Sequence, residues 1–174
     1  DYIIERFQPD AVLLTGGNDL VPPHDRESDV SLERNIFEGC LINAAIRQGI
    51  PILGICRGLQ MINLHFGGEV IPNAENRSHV GTVHDLIWRA PFDSYEGRPD
   101  RVNSFHDLIV KPEGLASCLN IAALSLEDGN VEGAAHQEIP VFCIQWHPER
   151  PQPSGAQFEM GLIERMVRGG NFWT

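Results

Sequence analysis

Apolar residues in the first part of the chain alternate between two spacings. Short, fully apolar runs occur at residues 11–14 and 50–55, and such runs between turn residues are typical of buried strands. Between them, apolar side chains recur at helical spacing from Ser31, a common N-cap residue, to Gly49, where helices often end. A second helical pattern covers residues 57–66. The pattern predicts strand, helix, strand and helix, with the second strand central in a parallel sheet.

The rest of the chain is dominated by strand patterns. Strands are predicted at 83–88, 101–104, 120–126, 131–135 and 141–146. The turn residues at 127–130 join two of these strands as a hairpin, and a last helix is predicted over 157–168. We therefore expect one α/β domain over residues 1–174, with a mostly parallel central sheet and an antiparallel extension.

The charge and cysteine content narrow the possible partners. The chain has 174 residues and a formal net charge of −11. This acidic balance argues against nucleic acid and against an anionic membrane surface as partners. No apolar stretch approaches the roughly 20 residues of a membrane-spanning helix. The four cysteines form no CxxC pair, and their spacing fits no zinc site. Such cysteines are typical of free thiols in a reducing compartment, so we predict a cytoplasmic location.

Cys56 lies between two glycines at the end of the second apolar run, in the segment PILGICRGLQ at residues 51–60. A strand that enters a tight turn and then a helix, with a nucleophile at the tip, is the pattern of a nucleophile elbow. Flanking glycines leave room for closely neighbouring backbone. The helix beginning at Arg57 places positive partial charge near the sulfur, so we expect the thiolate to be favoured. Cys56 is therefore the predicted nucleophile.

A thiol nucleophile needs a base, and His147 and Glu149 in the segment QWHPE supply a base and a group to orient it. The two residues share a face if the preceding strand continues to them. His147 would act as general base and then general acid, and Glu149 would hold its imidazole. An α/β-hydrolase could also use this elbow. That fold usually places its acid between the nucleophile and the histidine in the sequence, whereas Glu149 follows the histidine.

Three motifs in this order resemble the class I glutamine amidotransferase superfamily, and most closely its γ-glutamyl-γ-aminobutyrate hydrolase-like branch. They are LLTGGND at 13–19, the elbow at 51–60 and QWHPE at 145–149, with VNSFH at 102–106 between the last two. The resemblance implies a flavodoxin-like, three-layer α/β/α sandwich, with the site at the carboxyl ends of the parallel strands. It also implies cleavage of a γ-glutamyl amide through a glutamyl thioester, with no cofactor.

The resemblance implies an oxyanion hole as well. One donor would be the backbone N–H of Arg57, the residue after the nucleophile. The other would be the N–H of Gly17 or Gly16 in the loop 15–18. An ordinary strand-ending turn is the alternative for that loop.

Four further residues are implied to contact the small-molecule substrate. Gln60, one helical turn beyond the nucleophile, would help bind the amino-acid end of the glutamyl group. Asn103, Ser104 and His106 would lie at the same pocket, where polar groups recognise the α-amino and α-carboxylate groups. The hydrolase branch often has a second histidine where this chain has Phe105, so the leaving-group preference is left open.

Other histidines and arginines give weaker signals. His79 and His84 are five residues apart, which suits neither helical nor strand ligand geometry, and no third metal ligand is evident. We therefore expect pocket-rim or structural residues there and no metal. Arg26 or Arg34 could contact an anionic leaving group, and a solvated loop and helix start is the alternative.

The family normally begins with a further strand and helix, for which this sequence has no counterpart. We expect the chain to be a fragment or the sheet to have lost an edge. In the second case an apolar face would be exposed and would invite a partner, such as a second copy of the chain.

Three functions remain compatible with these observations. The first is a stand-alone hydrolase of a γ-glutamyl amine or γ-glutamyl phosphoramidate. The second is a glutaminase subunit that supplies ammonia to a partner synthetase, and the third is a binding or regulatory protein without turnover. The complete Cys-His-Glu set argues against the third. The TGGND and VNS segments resemble the hydrolase branch and favour the first.

Overall fold

The computed structural model of the protein describes residues 2–20, 29–73, 79–151, 153 and 157–168. Within them, the α-helices are α1 (Tyr2–Phe7), α2 (Leu32–Arg47), α3 (Arg57–His65) and α4 (Gln157–Val167). The strands are β1 (Val12–Leu14), β2 (Ile52–Ile55), β3 (Ile71–Pro72), β4 (Val80–Trp88), β5 (Arg101–Phe105), β6 (Leu108–Ile109), β7 (Leu119–Ser125), β8 (Val131–His136) and β9 (Val141–Ile144). The predicted elements are present, with bounds that differ by a few residues. No helix in these ranges is long and apolar enough to cross a membrane.

Seven strands form the main sheet in the order β1-β2-β9-β8-β7-β4-β5. The neighbours β1, β2 and β9 are parallel, whereas every later pairing in this order is antiparallel. The strands β3 and β6 pair separately as a short antiparallel ribbon. The α/β class with a mixed sheet is confirmed, and among the described residues the antiparallel part is larger than the extension the sequence suggests.

Helices cover both faces of the parallel part, so its strands are apolar throughout. Ile52 and Val141 belong to one core cluster and Leu53 and Phe142 to the other, because successive side chains of a strand point to opposite faces. The first cluster takes in residues of α1, α2 and α3, and the second takes in residues of α4. The result is the expected three-layer α/β/α arrangement.

The spacing of apolar residues predicts α2 correctly but not the side that it buries. Ser31 caps the helix, since its Oγ accepts the backbone N–H of Arg34 at 3.3 Å. Leu32 and Ile36 are 65% and 59% exposed, whereas the charged Glu38 is buried. The start of α2 therefore presents apolar side chains at the surface and turns a carboxylate inward.

The carboxyl ends of the three parallel strands lie at one edge of the sheet. The loop after β1 carries Gly16 and Gly17, the turn after β2 carries Cys56, and the segment after β9 carries His147 and Glu149. Parallel register aligns these ends, since Leu14 pairs with Gly54 and Ile55 pairs with Ile144. Residues far apart in sequence are thus delivered to the crevice where open α/β sheets bind ligands.

Candidate active site

Cys56 lies at the tip of a strained strand–turn–helix connection. Its φ and ψ angles are 52° and −105°, a conformation that costs a non-glycine residue energy and tends to occur at functional sites. The neighbouring glycines permit the turn. A Cβ on Gly54 would lie 2.7 Å from the carbonyl carbon of Gly58, and one on Gly58 would lie 2.3 Å from the carbonyl oxygen of Leu14. The geometry is that of the predicted elbow.

The expected thiolate is not favoured in this structure. Burial raises the pKa of the Cys56 thiol to about 12, and the backbone N–H of Arg57 acts in the opposite direction by donating to the sulfur. The negative charges of Glu132 and Glu149 raise the pKa further. Burial therefore outweighs the helix terminus, and the sulfur needs a nearby base to become nucleophilic.

His147 and Glu149 form a close pair. Nδ1 of His147 and Oε1 of Glu149 lie 2.5 Å apart, and a carboxylate can only accept, so Nδ1 carries the proton. The neutral ring then has Nε2 as its basic nitrogen. The strand ends at Ile144, so a turn brings the pair together. The continued strand that the sequence predicts for these two residues is not formed.

Gly16 connects the nucleophile and the imidazole in space. A Cβ on Gly16 would lie 2.8 Å from Cε1 of His147 and 3.7 Å from Cβ of Cys56, so both side chains pack around this glycine. A pocket of about 370 Å³ opens at the same place. Its lining is Leu13, Thr15, Gly16, Gly17, Ile55, His147, Glu149 and Arg150.

Arg34 holds the glycine loop in place. Its Nη2 donates to the carbonyl oxygens of Thr15 and Gly16 at 3.0 and 3.1 Å, and its Nη1 donates to the side chain of Asn18 at 2.9 Å. A Cβ on Gly17, where φ is +148°, would lie 2.1 Å from Nη1. Arg34 therefore packs against the loop, whereas Arg26 lies outside the described residues.

The guanidinium of Arg34 is itself held by a buried carboxylate. Its Nε donates to Oε1 of Glu38 at 2.7 Å, and the other oxygen of Glu38 pairs with Arg57. Arg57 also donates to the side chain of Asn35 and is 1% exposed. This chain of charges ties both predicted sources of oxyanion donors to α2.

The four residues predicted to bind substrate are buried, and their side chains contact protein groups. Gln60 donates to the carbonyl of Leu108 at 3.2 Å, and Oγ of Ser104 donates to the carbonyl of His79 at 2.8 Å. His106 contacts the same Leu108 carbonyl through Nδ1 at 3.0 Å. These three residues stay predicted substrate ligands.

The side chain of Asn103 contacts the backbone of His147. Its Nδ2 donates to the carbonyl oxygens of His147 and Pro151 at 2.9 and 3.1 Å, and its Oδ1 accepts the backbone N–H of His147 at 2.9 Å. Both amide hydrogens are used in this way. The contacts indicate a residue that positions His147, and the substrate contact that the resemblance implies stays a prediction.

Glu132 is the charged residue that the sequence analysis missed. It lies in β8 with 0% exposure, and His79, His84 and His106 surround its carboxylate. Burial raises the pKa of Glu132, but the neighbouring His106 and His84 outweigh burial and hold it at about 2. The available signal was one acidic residue inside the otherwise apolar run VEGAA at residues 131–135.

Comparison with known proteins agrees with this fold. The chain superimposes on a glutamine amidotransferase from Thermotoga maritima with a TM-score of 0.61, covering 90% of this chain and 63% of that one at 19% identity. The fold is therefore that of the glutamine amidotransferases. The profile of the Peptidase C26 family matches residues 2–149, and the chain belongs to this family.

Two relatives have names that state what those proteins do. The aminodeoxychorismate/anthranilate synthase component 2 of Bacillus subtilis is 34% identical over 165 residues, which cover 92% of this chain and 76% of that protein. The gamma-glutamyl-CDP-amidate hydrolase of Campylobacter jejuni subsp. jejuni is 33% identical over 141 residues, which cover 80% of this chain and 62% of that protein. The chain is thus similar both to a synthase component and to a hydrolase.

Proposed function

We propose that this protein is a cysteine-dependent hydrolase that cleaves the γ-glutamyl amide bond of a γ-glutamyl amine or γ-glutamyl phosphoramidate and releases glutamate. The observation that carries the proposal is the 2.5 Å contact between His147 and Glu149 beside the strained Cys56. A buried thiol with a raised pKa becomes nucleophilic when an oriented imidazole takes its proton.

The reaction proceeds in two halves. The Cys56 sulfur attacks the γ-carbonyl carbon while Nε2 of His147 takes the thiol proton, and the carbonyl oxygen becomes an oxyanion. The N–H groups of Arg57 and of Gly17 or Gly16 stabilise that charge. His147 then gives its proton to the departing nitrogen, and a glutamyl thioester remains. Water, losing a proton to His147, attacks the thioester, after which the proton returns to sulfur and glutamate leaves.

The glutamyl group and the leaving group occupy different sides of the site in this proposal. Gln60 and Ser104 bind the amino-acid end, His106 lies near Ser104 in sequence at the same pocket edge, and Asn103 acts through His147. Arg150 lines the pocket, and its guanidinium lies 4.2 Å from the ring centre of Phe105. A cation at this place favours an anionic leaving group, as does the name of the Campylobacter jejuni relative.

The second candidate is a glutaminase that passes ammonia to a partner synthetase. It is favoured by the Bacillus subtilis relative, which is named as a component of a synthase. The same residues would perform the same thioester chemistry on glutamine. The two candidates differ in the leaving group and in the need for a partner.

Glutamate release by the purified protein distinguishes the candidates. The panel contains glutamine, γ-glutamyl-GABA, other γ-glutamyl amines and γ-glutamyl phosphoramidates. Cys56→Ala is the blank, and Cys118→Ala is the matched control because Cys118 is a free cysteine outside the site. We expect rapid, Cys56-dependent release from a substituted amide and poor release from glutamine. Release from glutamine alone would favour the glutaminase, and release by Cys56→Ala would contradict both.

A further inference from the structure

Three histidines and one glutamate converge on a buried point beside the candidate active site. His79 precedes β4, His84 lies in β4, His106 follows β5 and Glu132 lies in β8. Their exposed fractions are 1%, 3%, 6% and 0% respectively. A carboxylate buried to this degree needs a compensating cation or a full set of hydrogen-bond donors.

The distances in the cluster are longer than those of strong charged hydrogen bonds to the carboxylate. Oε2 of Glu132 lies 3.3 Å from Nε2 of His84, and Oε1 lies 3.6 Å from Nε2 of His106 and 3.8 Å from Nδ1 of His79. A charged N–H···O bond would be about 2.7–2.9 Å long. Both carboxylate oxygens, both nitrogens of His84 and Nε2 of His106 are buried without a hydrogen bond to any described group. The carboxylate therefore lacks the short charged hydrogen bonds that its burial calls for.

The outer nitrogens of two histidines are bound to acceptors. Nε2 of His79 lies 2.6 Å from Oδ2 of Asp128, and Nδ1 of His106 lies 3.0 Å from the carbonyl oxygen of Leu108. Each outer nitrogen therefore donates, and in the neutral ring the inner nitrogen has a lone pair. That of His106 faces Glu132, whereas that of His79 also lies 3.1 Å from Oγ of Ser104, a contact that a bound ion would replace. Histidines that bind metals are held in this way, with the distal N–H on a carboxylate or a backbone carbonyl.

The separations from Glu132 are close to those between ligands of one ion. For N and O ligands at about 2.0–2.2 Å from a tetrahedral Zn²⁺ ion, adjacent ligand atoms are about 3.3–3.6 Å apart. Ligand atoms of His79, His84 and Glu132 lie within 4.8 Å of one another, and Nε2 of His106 lies 3.6 Å from Oε1 of Glu132 as a fourth candidate ligand atom. The two carboxylates, Glu132 and Asp128, balance a double positive charge.

We propose that His79, His84, His106 and Glu132 bind a divalent transition-metal ion of the zinc type in a closed structural site. For His106 this role replaces the substrate contact predicted from the sequence. Four protein ligands leave no position for a reacting water, so the ion stabilises the fold and takes no part in the chemistry. It ties β4, the end of β5 and β8 together next to Asn103, which holds His147. The sequence spacing concealed this site because His106 and Glu132 come from other strands than His84.

Metal binding tests the proposal in the Cys56→Ala variant, in which the catalytic thiol cannot bind the ion. The chelator-treated protein is titrated with Co²⁺, followed by the visible absorption of four-coordinate Co²⁺, and then with Zn²⁺. We expect one equivalent of Co²⁺ per chain, its displacement by Zn²⁺, and a higher Tm with Zn²⁺ than with chelator. A folded Cys56→Ala variant that takes up neither metal would overturn the proposal.

Variants of the cluster locate the bound ion. Glu132→Gln and His84→Asn should abolish uptake, and Asp128→Asn should weaken it by about 10- to 100-fold because it removes the partner of a ligand. His65→Asn is the control, since His65 lies at the end of α3 beside Phe66, and it should bind normally. If Glu132→Gln does not fold, His84→Asn decides. Undiminished uptake in a folded His84→Asn variant would refute the assignment.

Discussion

The side chain of Asn103 holds the backbone of His147 at both of its polar groups. Its Oδ1 accepts the N–H and its Nδ2 donates to the carbonyl oxygen, each at 2.9 Å. The imidazole of His147 also contacts Glu149 through Nδ1. Asn103 in β5 therefore fixes the main chain of the proposed base, and the carboxylate of Glu149 fixes its ring.

The variant Asn103→Ala should lower kcat with little change in KM. Loss of three hydrogen bonds lets the 147 backbone shift, and a misplacement of about 1 Å at a catalytic group can cost about 100-fold in rate. Leaving the buried backbone N–H of His147 without Asn103 should also reduce stability by about 1–3 kcal/mol, whereas the carbonyl oxygen of His147 keeps the N–H of Arg150 at 3.1 Å. Steady-state kinetics on the best substrate and thermal unfolding measure the two effects.

Asn63 provides a matched control for this prediction. Its Nδ2 donates to the carbonyl oxygens of Glu69 and Gly114 at 2.9 and 3.0 Å, and its Oδ1 accepts the N–H of Ala116 at 2.8 Å. Asn63→Ala therefore removes three equivalent bonds from another part of the fold. If both variants lose stability and activity in the same proportion, Asn103 has no special positioning role.

The thiol of Cys56 should be protonated at neutral pH in the resting protein, because burial raises its pKa to about 12. In a His147→Ala variant, alkylation of Cys56 by iodoacetamide should be slow at neutral pH and should keep accelerating above pH 9.0, the ordinary thiol value. The folded state keeps a proton that the unfolded chain loses there, so stability should fall as the pH rises from 9.0 toward 12.

Mass spectrometry of the alkylated peptides across this pH range gives the measurement. Cys40 is exposed and serves as the internal reference within the same sample. The rate at Cys56 should still be rising well above pH 9.0. A Cys56 curve that levels off near pH 9.0, the ordinary thiol value, would show that burial does not control the thiol.

The sequence predicts most of the fold because the signals are local. A run such as residues 50–55 is apolar at every position, and this pattern requires a strand covered on both faces. The elbow is predictable for the same reason, since Gly54, Cys56 and Gly58 lie within one turn. The pairing of His147 with Glu149 was also expected, although the strand invoked for it ends at Ile144.

What the sequence does not reveal depends on contacts between distant segments. Glu132 meets His84 and His106 only when β8 is placed two strands from β4, and no spacing in one dimension contains that information. The inward turn of Glu38 has a similar cause. It follows from the buried charge of Arg57 in α3, which outweighs the apolar residues nearby on α2.

The variant Arg34→Ala should lower kcat by misorienting the oxyanion donors. Nη2 of Arg34 binds the carbonyl oxygens of Thr15 and Gly16, and in a trans peptide the N–H of the next residue points the opposite way. Arg34 thereby fixes the N–H directions of Gly16 and Gly17. The expected loss approaches that of one oxyanion donor, about 100-fold.

Kinetics of Arg34→Ala beside Arg101→Ala check this assignment. Arg101 forms an exposed ion pair with Asp85 at 2.9 Å on β4 and β5, so its removal controls for the loss of a surface arginine. We expect Arg101→Ala to retain full activity. Normal kcat in Arg34→Ala would mean that the loop keeps its conformation without the guanidinium.

Arg150 should determine the preference for an anionic leaving group. It lines the pocket beside Glu149, and its guanidinium lies over the ring of Phe105. Loss of one hydrogen bond to a charged group weakens binding by about tenfold or more. Arg150→Gln should therefore raise KM about tenfold for γ-glutamyl phosphoramidates and leave KM for γ-glutamyl methylamide, which has a neutral leaving group, nearly unchanged. Arg168→Gln is the control, because Arg168 directly follows α4 and pairs there with Glu164. It should change neither KM value. An equal change for both substrates in Arg150→Gln would show that Arg150 supports the site without sensing the charge of the leaving group.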